Sequence, residues 1–202
     1  CASPTSPPPP RPWPGPSRPA TPDLRRALVL VTGPPAAGKT TLAGPLAAAL
    51  GLPLIGKDLI KEALFDALGT GDRAWSRRLG AASYEVLYAV AGALPAVVLD
   101  ANLGPEAAPR LLALDPNPIE IFCRCPADEL ERRFTARAPA RHPGHVDHVL
   151  SPDARAALVR GVEPLGLGGP VLEVDTTQPI NLDEVTAWAH ARLQGSMRGA
   201  WP

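Results

Sequence analysis

Gly33-Pro34-Pro35-Ala36-Ala37-Gly38-Lys39-Thr40 decides how this chain folds. The stretch fits G-x-x-x-x-G-K-[ST], the phosphate-binding P-loop. Each residue type follows from that task. Gly33 and Gly38 let the backbone turn tightly enough for successive N–H groups to converge on phosphate oxygens. Lys39 supplies a point charge for the β- and γ-phosphates of a nucleotide. The Thr40 hydroxyl suits Mg²⁺. The flanks agree. Residues 27–32 are a continuous apolar run, read as a buried parallel strand. Residues 41–50 are rich in Ala and Leu, read as the helix whose N-terminus faces the anion. The nucleotide-contacting set on this reading is Gly33, Pro34, Pro35, Ala36, Ala37, Gly38, Lys39, Thr40 and Thr41, with Arg133 added below.

Composition bounds what surrounds the loop. The chain has 202 residues, 45% of them hydrophobic, which suits one well-buried domain rather than two large ones. The formal net charge is zero, so no global basic field holds nucleic acid non-specifically. Cys1, Cys123 and Cys125 are an odd set, two of them in an apolar run. They read as reduced thiols of a cytoplasmic protein rather than a disulfide framework. No apolar run approaches the roughly 20 residues that span a bilayer, so no membrane partner is expected. No signal peptide is expected either.

Ten of the 27 prolines fall in the first 22 residues, so residues 1–24 read as an extended or disordered tail. Pro9-Pro10-Arg11-Pro12 has the look of an SH3 ligand, but a protein partner for the tail is not expected. From residue 25 onward apolar strands alternate with helical patterns, the mark of an α/β parallel sheet. Strands are predicted at 27–32, 53–56, 96–100, 119–123 and 171–174. Helices are predicted at 39–50, 58–68, 74–93, 105–114, 127–137, 152–160 and 182–194. Asp58 reads as a helix cap and Gly69 as a helix stop. Ser151-Pro152-Asp153 and Asn181-Leu182-Asp183-Glu184 read as helix starts.

The residues beyond the loop decide the subclass. The guanine-specifying N/T-K-x-D tetrapeptide is absent, which argues against a GTPase. Lys57-Asp58-Leu59-Ile60-Lys61-Glu62 comes directly after the second strand, at the carboxyl edge where open α/β sheets bind ligands. Asp58 is the candidate base that orients a hydroxyl nucleophile, with N-capping as its competing role. Lys61 lies one turn on, either contacting an acidic substrate or phosphoryl group or simply solvated. Lys57 reads as solvent-facing. Residues 96–100 form an apolar strand ending in Asp100, which can hold Mg²⁺ with Thr40 or bind substrate hydroxyls. Asn102 is a further substrate candidate. Arg133, Arg137 and Arg141 recur at i, i+4 and i+8, with a break at Pro139 that would place Arg141 on the next loop. Guanidiniums there can stack on adenine or neutralise a transferring phosphoryl group, so Arg137 and Arg141 join Asp58 and Lys39 as catalytic candidates. Arg132 reads as a solvated partner of nearby acids. His142, His145 and His148 with Asp147 have spacing that hints at metal, but Pro143 and Gly144 favour lid structure or substrate contacts.

Together these blocks resemble the small P-loop kinases, often grouped as AAA-type ATP-binding proteins, that include chloramphenicol phosphotransferase, the zeta-toxin kinases and polynucleotide kinase domains. The resemblance rests on the P-loop, on residues 57–65, on Val98-Leu99-Asp100-Ala101-Asn102, and on the stretch from Arg137 to Asp147 containing Arg141-His142-Pro143-Gly144-His145. It implies a three-layer P-loop fold with a five-stranded parallel sheet in order 2-3-1-4-5 and a helical lid over about 126–150. It implies ATP and Mg²⁺ as cofactors, Asp58 as base, and lid arginines at the γ-phosphate. The expected reaction is transfer of that phosphate to a hydroxyl of a small molecule such as an antibiotic or sugar. A polynucleotide 5′-hydroxyl kinase and a non-kinase ATP-binding switch are the alternatives. Polynucleotide kinases carry Arg three residues after the acid. Lys61 stands there instead, without the bidentate fork.

Overall fold

The computed structural model describes residues 27–145, 157 and 159–197. The Pro-rich tail, most of the helix predicted at 152–160, Asp147 and His148 lie outside the described residues.

Five parallel strands form one sheet in the order β2-β3-β1-β4-β5, as the resemblance implied. They are β1 (Ala27–Thr32), β2 (Leu54–Gly56), β3 (Ala96–Asp100), β4 (Ile119–Arg124) and β5 (Val171–Asp175). The helices are α1 (Lys39–Leu50), α2 (Lys57–Leu68), α3 (Arg73–Ala93), α4 (Ala108–Leu114), α5 (Ala127–Arg137) and α6 (Leu182–Met197). Two 3₁₀ turns, Pro105–Ala107 and Ala138–Ala140, precede α4 and follow α5.

β1 lies at the centre, paired with β3 and β4, and all six of its residues are buried. Its period-2 alternation explains the three layers. Ala27, Val29 and Val31 enter a core with Leu42 and Leu46 of α1 and Val185 and Ala189 of α6. Leu28 and Leu30 point the other way, into a core with Leu87 and Ala91 of α3 and Leu111 of α4. A continuous apolar run was therefore the right signature, because neither face meets water. Burying each such Leu or Val stabilises the fold by about 1.5–3 kcal/mol.

Element boundaries shift at one place that matters. α2 begins at Lys57, with Gly56 as its N-cap in extended conformation and no capping side chain. Asp58 is therefore not the cap the sequence suggested, and its carboxylate is left for other contacts. The long helix α3 gains a cap that the sequence reading missed, Asp72, which accepts from the Trp75 N–H at 2.8 Å. The break at Pro139 is present as a 3₁₀ turn, after which Arg141 takes extended backbone. Asn181 does cap α6, accepting from Glu184 N–H at 3.3 Å.

Candidate active site

The carboxyl ends of β1, β2 and β3 open into a cleft of about 420 Å³. Its lining joins the P-loop, Asp58, Asp100, Asn102, Arg133, Arg137 and Thr176. Parallel pairing puts these residues together. Gly56 sits opposite Asp100, and Val31 opposite Asp100 on the other side, so the three strand ends are level.

The loop itself is tightly constrained. Gly33 has φ 131° and lies so close to β4 that a β-carbon would come 2.5 Å from the Cys123 carbonyl oxygen. Gly38 has φ 84°, and Ala36 also adopts the left-handed region at φ 69°. That conformation costs an alanine roughly 1–2 kcal/mol, a strain held by the surrounding fold. Pro34 and Pro35 have no N–H, so these two positions stiffen the loop but donate nothing. Gly38, Lys39, Thr40 and Thr41 line the cleft at the N-terminus of α1, where the helix dipole favours an anion.

Lys39 is 8% exposed and donates to the carbonyl oxygens of Gly33 (3.0 Å) and Pro34 (2.7 Å). Burial pulls its ammonium down to about 8, against the attraction of Asp100. Arg137 lies near enough to push in the same direction as burial. Thr40 donates its hydroxyl to Asp100 Oδ2 at 2.6 Å. This places a hydroxyl and a carboxylate side by side, a hard-oxygen donor set suited to Mg²⁺. Burial raises Asp100, opposed by the Thr40 hydrogen bond and by Lys39.

Asp58 faces this group across the cleft. Lys57 Nζ lies 3.0 Å from its Oδ1 and Arg141 NH2 lies 3.0 Å from its Oδ2. Burial pushes the carboxyl up, but Lys57, its hydrogen bond, Arg141 and His145 together outweigh it and hold Asp58 below the ordinary value. Lys57 is thus not the solvent-facing lysine expected. Its side chain is 12% exposed, lies over the Tyr84 ring at 5.5 Å, and bonds the candidate base.

The other arginines separate by position. Arg133 lines the cleft and is fixed by Glu129 Oε1 at 2.6 Å and the Thr176 carbonyl at 2.7 Å. Arg137 lines the cleft and lies over the Phe134 ring at 4.9 Å. Arg141 stands on Asp58 rather than in the cleft lining. Arg132 pairs with Glu129 at the surface, as expected. Lys61 is 9% exposed between α2 and α3, donating to Ser76 Oγ at 3.0 Å, and does not line the cleft. Asn102 does line it, and its backbone carbonyl accepts from the Tyr84 hydroxyl.

His142 and His145 dock on α2. His142 Nε2 lies 3.0 Å from Asp66 Oδ1 and its ring stacks on Phe65 at 5.3 Å. His145 Nε2 lies 2.9 Å from Glu62 Oε1. Among the described residues no group of three or more acids, histidines and cysteines is placed to hold a metal ion. Cys123 and Cys125 are free and buried. No described helix is long and apolar enough to cross a membrane.

Sequence reasoning missed Thr176, Ile180, Tyr84 and Glu62. Thr176 was findable, since it directly follows β5 at the ligand-binding edge of the sheet. Tyr84 is half-buried on a helix position that carries no motif, and Glu62 lies within the 57–65 block, where no local pattern singles it out.

Residues 28–165 match the family model described as an AAA domain. No curated protein sequence matches the chain. A candidate kinase from Chloroflexus aurantiacus J-10-fl is 38% identical, over 84% of this chain and 100% of its own, with a TM-score of 0.75. A gluconokinase from Sinorhizobium meliloti 1021 is 18% identical, over 87% of this chain and 95% of its own, with a TM-score of 0.56. A sugar kinase from Janibacter sp. HTCC2649 is 17% identical, over 87% and 96%, with a TM-score of 0.50. The last two share the fold alone. The chain belongs to the AAA domain family of P-loop proteins and has the fold of the small P-loop kinases.

Proposed function

We propose that this protein transfers the γ-phosphate of ATP to a hydroxyl of a small-molecule acceptor. One observation carries the reading: Asp58 lines the same cleft as the P-loop and the Thr40–Asp100 pair. A carboxylate so placed serves a hydroxyl acceptor, and phosphate binding alone gives it no task. The candidate kinase from Chloroflexus aurantiacus supports the same class of reaction.

The roles follow from the geometry. Lys39 and the loop N–H groups hold the β- and γ-phosphates. Thr40 and Asp100 would hold Mg²⁺, which neutralises charge shared by the two phosphates. Arg137 stabilises charge on the transferring group, and Arg133 packs the nucleotide end with Thr176 and Ile180. Asn102 contacts the acceptor. The acceptor oxygen forms a bond to the γ-phosphorus as the bond to the bridging oxygen breaks, leaving ADP. Asp58 is held anionic, so it acts first as an orienting acceptor for the hydroxyl and takes the proton late.

The small-molecule acceptor is favoured over a polynucleotide by Lys61. At the position where polynucleotide kinases carry an arginine for the substrate phosphate, this chain buries a lysine against Ser76. Reduced, buried cysteines fit a cytoplasmic location. Residues 25–202 are one catalytic domain on this reading, behind a Pro-rich tail of 24 residues.

The test is a transfer screen with γ-labelled ATP against aminoglycosides, other hydroxylated antibiotics, sugars, nucleosides and oligonucleotides. Label on a small hydroxylated compound is the expected result. Label on oligonucleotides only would overturn the acceptor class, and label on none would favour a nucleotide-binding switch.

A further inference from the structure

Glu62 does not line the cleft, yet two side chains connect it to Asp58. His145 is 4% exposed, with Nε2 2.9 Å from Glu62 Oε1 and Nδ1 3.1 Å from Arg141 NH2. A guanidinium only donates, so Nδ1 is the acceptor and Nε2 carries the proton that goes to Glu62. The same Arg141 NH2 lies 3.0 Å from Asp58 Oδ2. Its two hydrogens can serve both acceptors. The direction of every bond from Asp58 to Glu62 is thereby set.

The surroundings hold this chain of bonds in place. Phe65, one turn beyond Lys61, lies edge-on to His145 at 5.9 Å and packs against Gly144, where a β-carbon would come 2.4 Å from its ring. Lys61 donates to Ser76, whose hydroxyl donates to the Gly144 carbonyl at 3.2 Å. The Arg-His-Pro-Gly-His block is thus seated on α2 and α3 by apolar and polar contacts together.

We propose that Glu62 and His145 are positioning residues for phosphoryl transfer, acting on Asp58 through Arg141. The inference rests on the proposed function, in which Asp58 orients the acceptor. Asp58 needs such help because its side chain is 46% exposed and Lys57 tethers only one oxygen. Arg141 tethers the other and fixes the plane of the carboxylate. A long arginine side chain is flexible, and His145 holds it by the same amino group that grips Asp58. Glu62 fixes the tautomer that leaves Nδ1 as an acceptor.

The test compares Glu62→Ala with Glu62→Gln, which keeps an oxygen for the His145 Nε2–H. Turnover of Mg²⁺-ATP with water as acceptor is measured alongside NMR titration of the Asp58 carboxyl. Glu62→Ala should lower kcat roughly 10- to 100-fold with KM for ATP unchanged, since only the acceptor-side geometry is disturbed. Glu62→Gln should recover most of that loss. In Glu62→Ala the Asp58 midpoint should rise, because Arg141 is no longer held beside it. Equal kcat in both variants, or an unmoved Asp58 midpoint, overturns the proposal. If Glu62→Ala fails to fold, His145→Asn and His145→Leu carry the same contrast, because Asn keeps an acceptor for Arg141 and Leu does not. Equal turnover in that pair also overturns it. A wild-type protein that transfers phosphate neither to water nor to any compound of the acceptor screen, but whose Asp58 midpoint still responds to Glu62→Ala, would instead sink the proposed function and leave the coupling standing.

Discussion

Asp58 and Asp100 face one cleft, yet their carboxyls are pushed in opposite directions. Burial acts on both. At Asp58 it loses to Lys57 and Arg141, and at Asp100 it prevails over the Thr40 hydrogen bond and Lys39. In the nucleotide-free protein, carboxyl NMR titration should therefore place Asp58 below the ordinary 3.8 and Asp100 above it. The reverse order would mean that the ion pairs at Asp58 do not form in solution. Lys39 gives a second prediction at this scale. Its folded value of about 8 lies below the ordinary 10.5, so the unfolded chain binds more protons between those two values. Stability from this group therefore rises with pH across that window. Comparing wild type with Lys39→Met by denaturant unfolding, the difference should shift by up to about 3 kcal/mol between pH 7 and 10.5 in favour of wild type. A pH-independent difference would show that the ammonium is not desolvated. Most of these residues were legible in the sequence, because a glycine loop, an acid after β2 and an acid ending β3 are local patterns. Their partners were not. Lys57 was read as solvated because nothing in its neighbourhood announces Tyr84, 27 positions further along the chain.

At the scale of elements, α2 is the part whose reading changed most. Starting the helix at Lys57 rather than Asp58 frees the carboxylate from capping. Within α2, Asp58, Glu62 and Asp66 fall at i, i+4 and i+8 on one face. Arg141, His145 and His142 then meet that acidic face in turn. The stripe could be read from spacing, but its match to a block some 80 residues away could not. Gly144 is where this docking is tightest. Gly144→Ala puts a methyl into the buried Phe65 ring, so it should destabilise the protein by about 1–3 kcal/mol, measured by chemical unfolding. It should also weaken the Asp58–Arg141 pair, seen as a raised Asp58 midpoint. Unchanged stability would mean that the loop is not seated against α2.

For the molecule as a whole, the alternation of apolar strands and helices foretold both the class and the sheet that forms. Strand order came from resemblance, since no local pattern says which strands are neighbours. The ligand edge then follows from topology, because parallel strands bring their carboxyl ends to one side. Binding at that edge should stabilise the fold by linkage. Mg²⁺-ATP at about 100 times its Kd should add about 2.7 kcal/mol, visible as a rise in Tm. Removing Mg²⁺ with a chelator, or substituting Thr40→Ala, should take away much of the gain. A shift insensitive to both would remove Thr40 and Asp100 from the metal's ligands.

The central claim is that Asp58 serves the acceptor and not the nucleotide. The most direct measurement pairs ATP affinity by calorimetry with turnover of γ-labelled ATP, in wild type and Asp58→Ala. ATP affinity should stay within about threefold while turnover falls about 100-fold or more. Turnover that survives intact in Asp58→Ala, with ATP still bound, would contradict the claim.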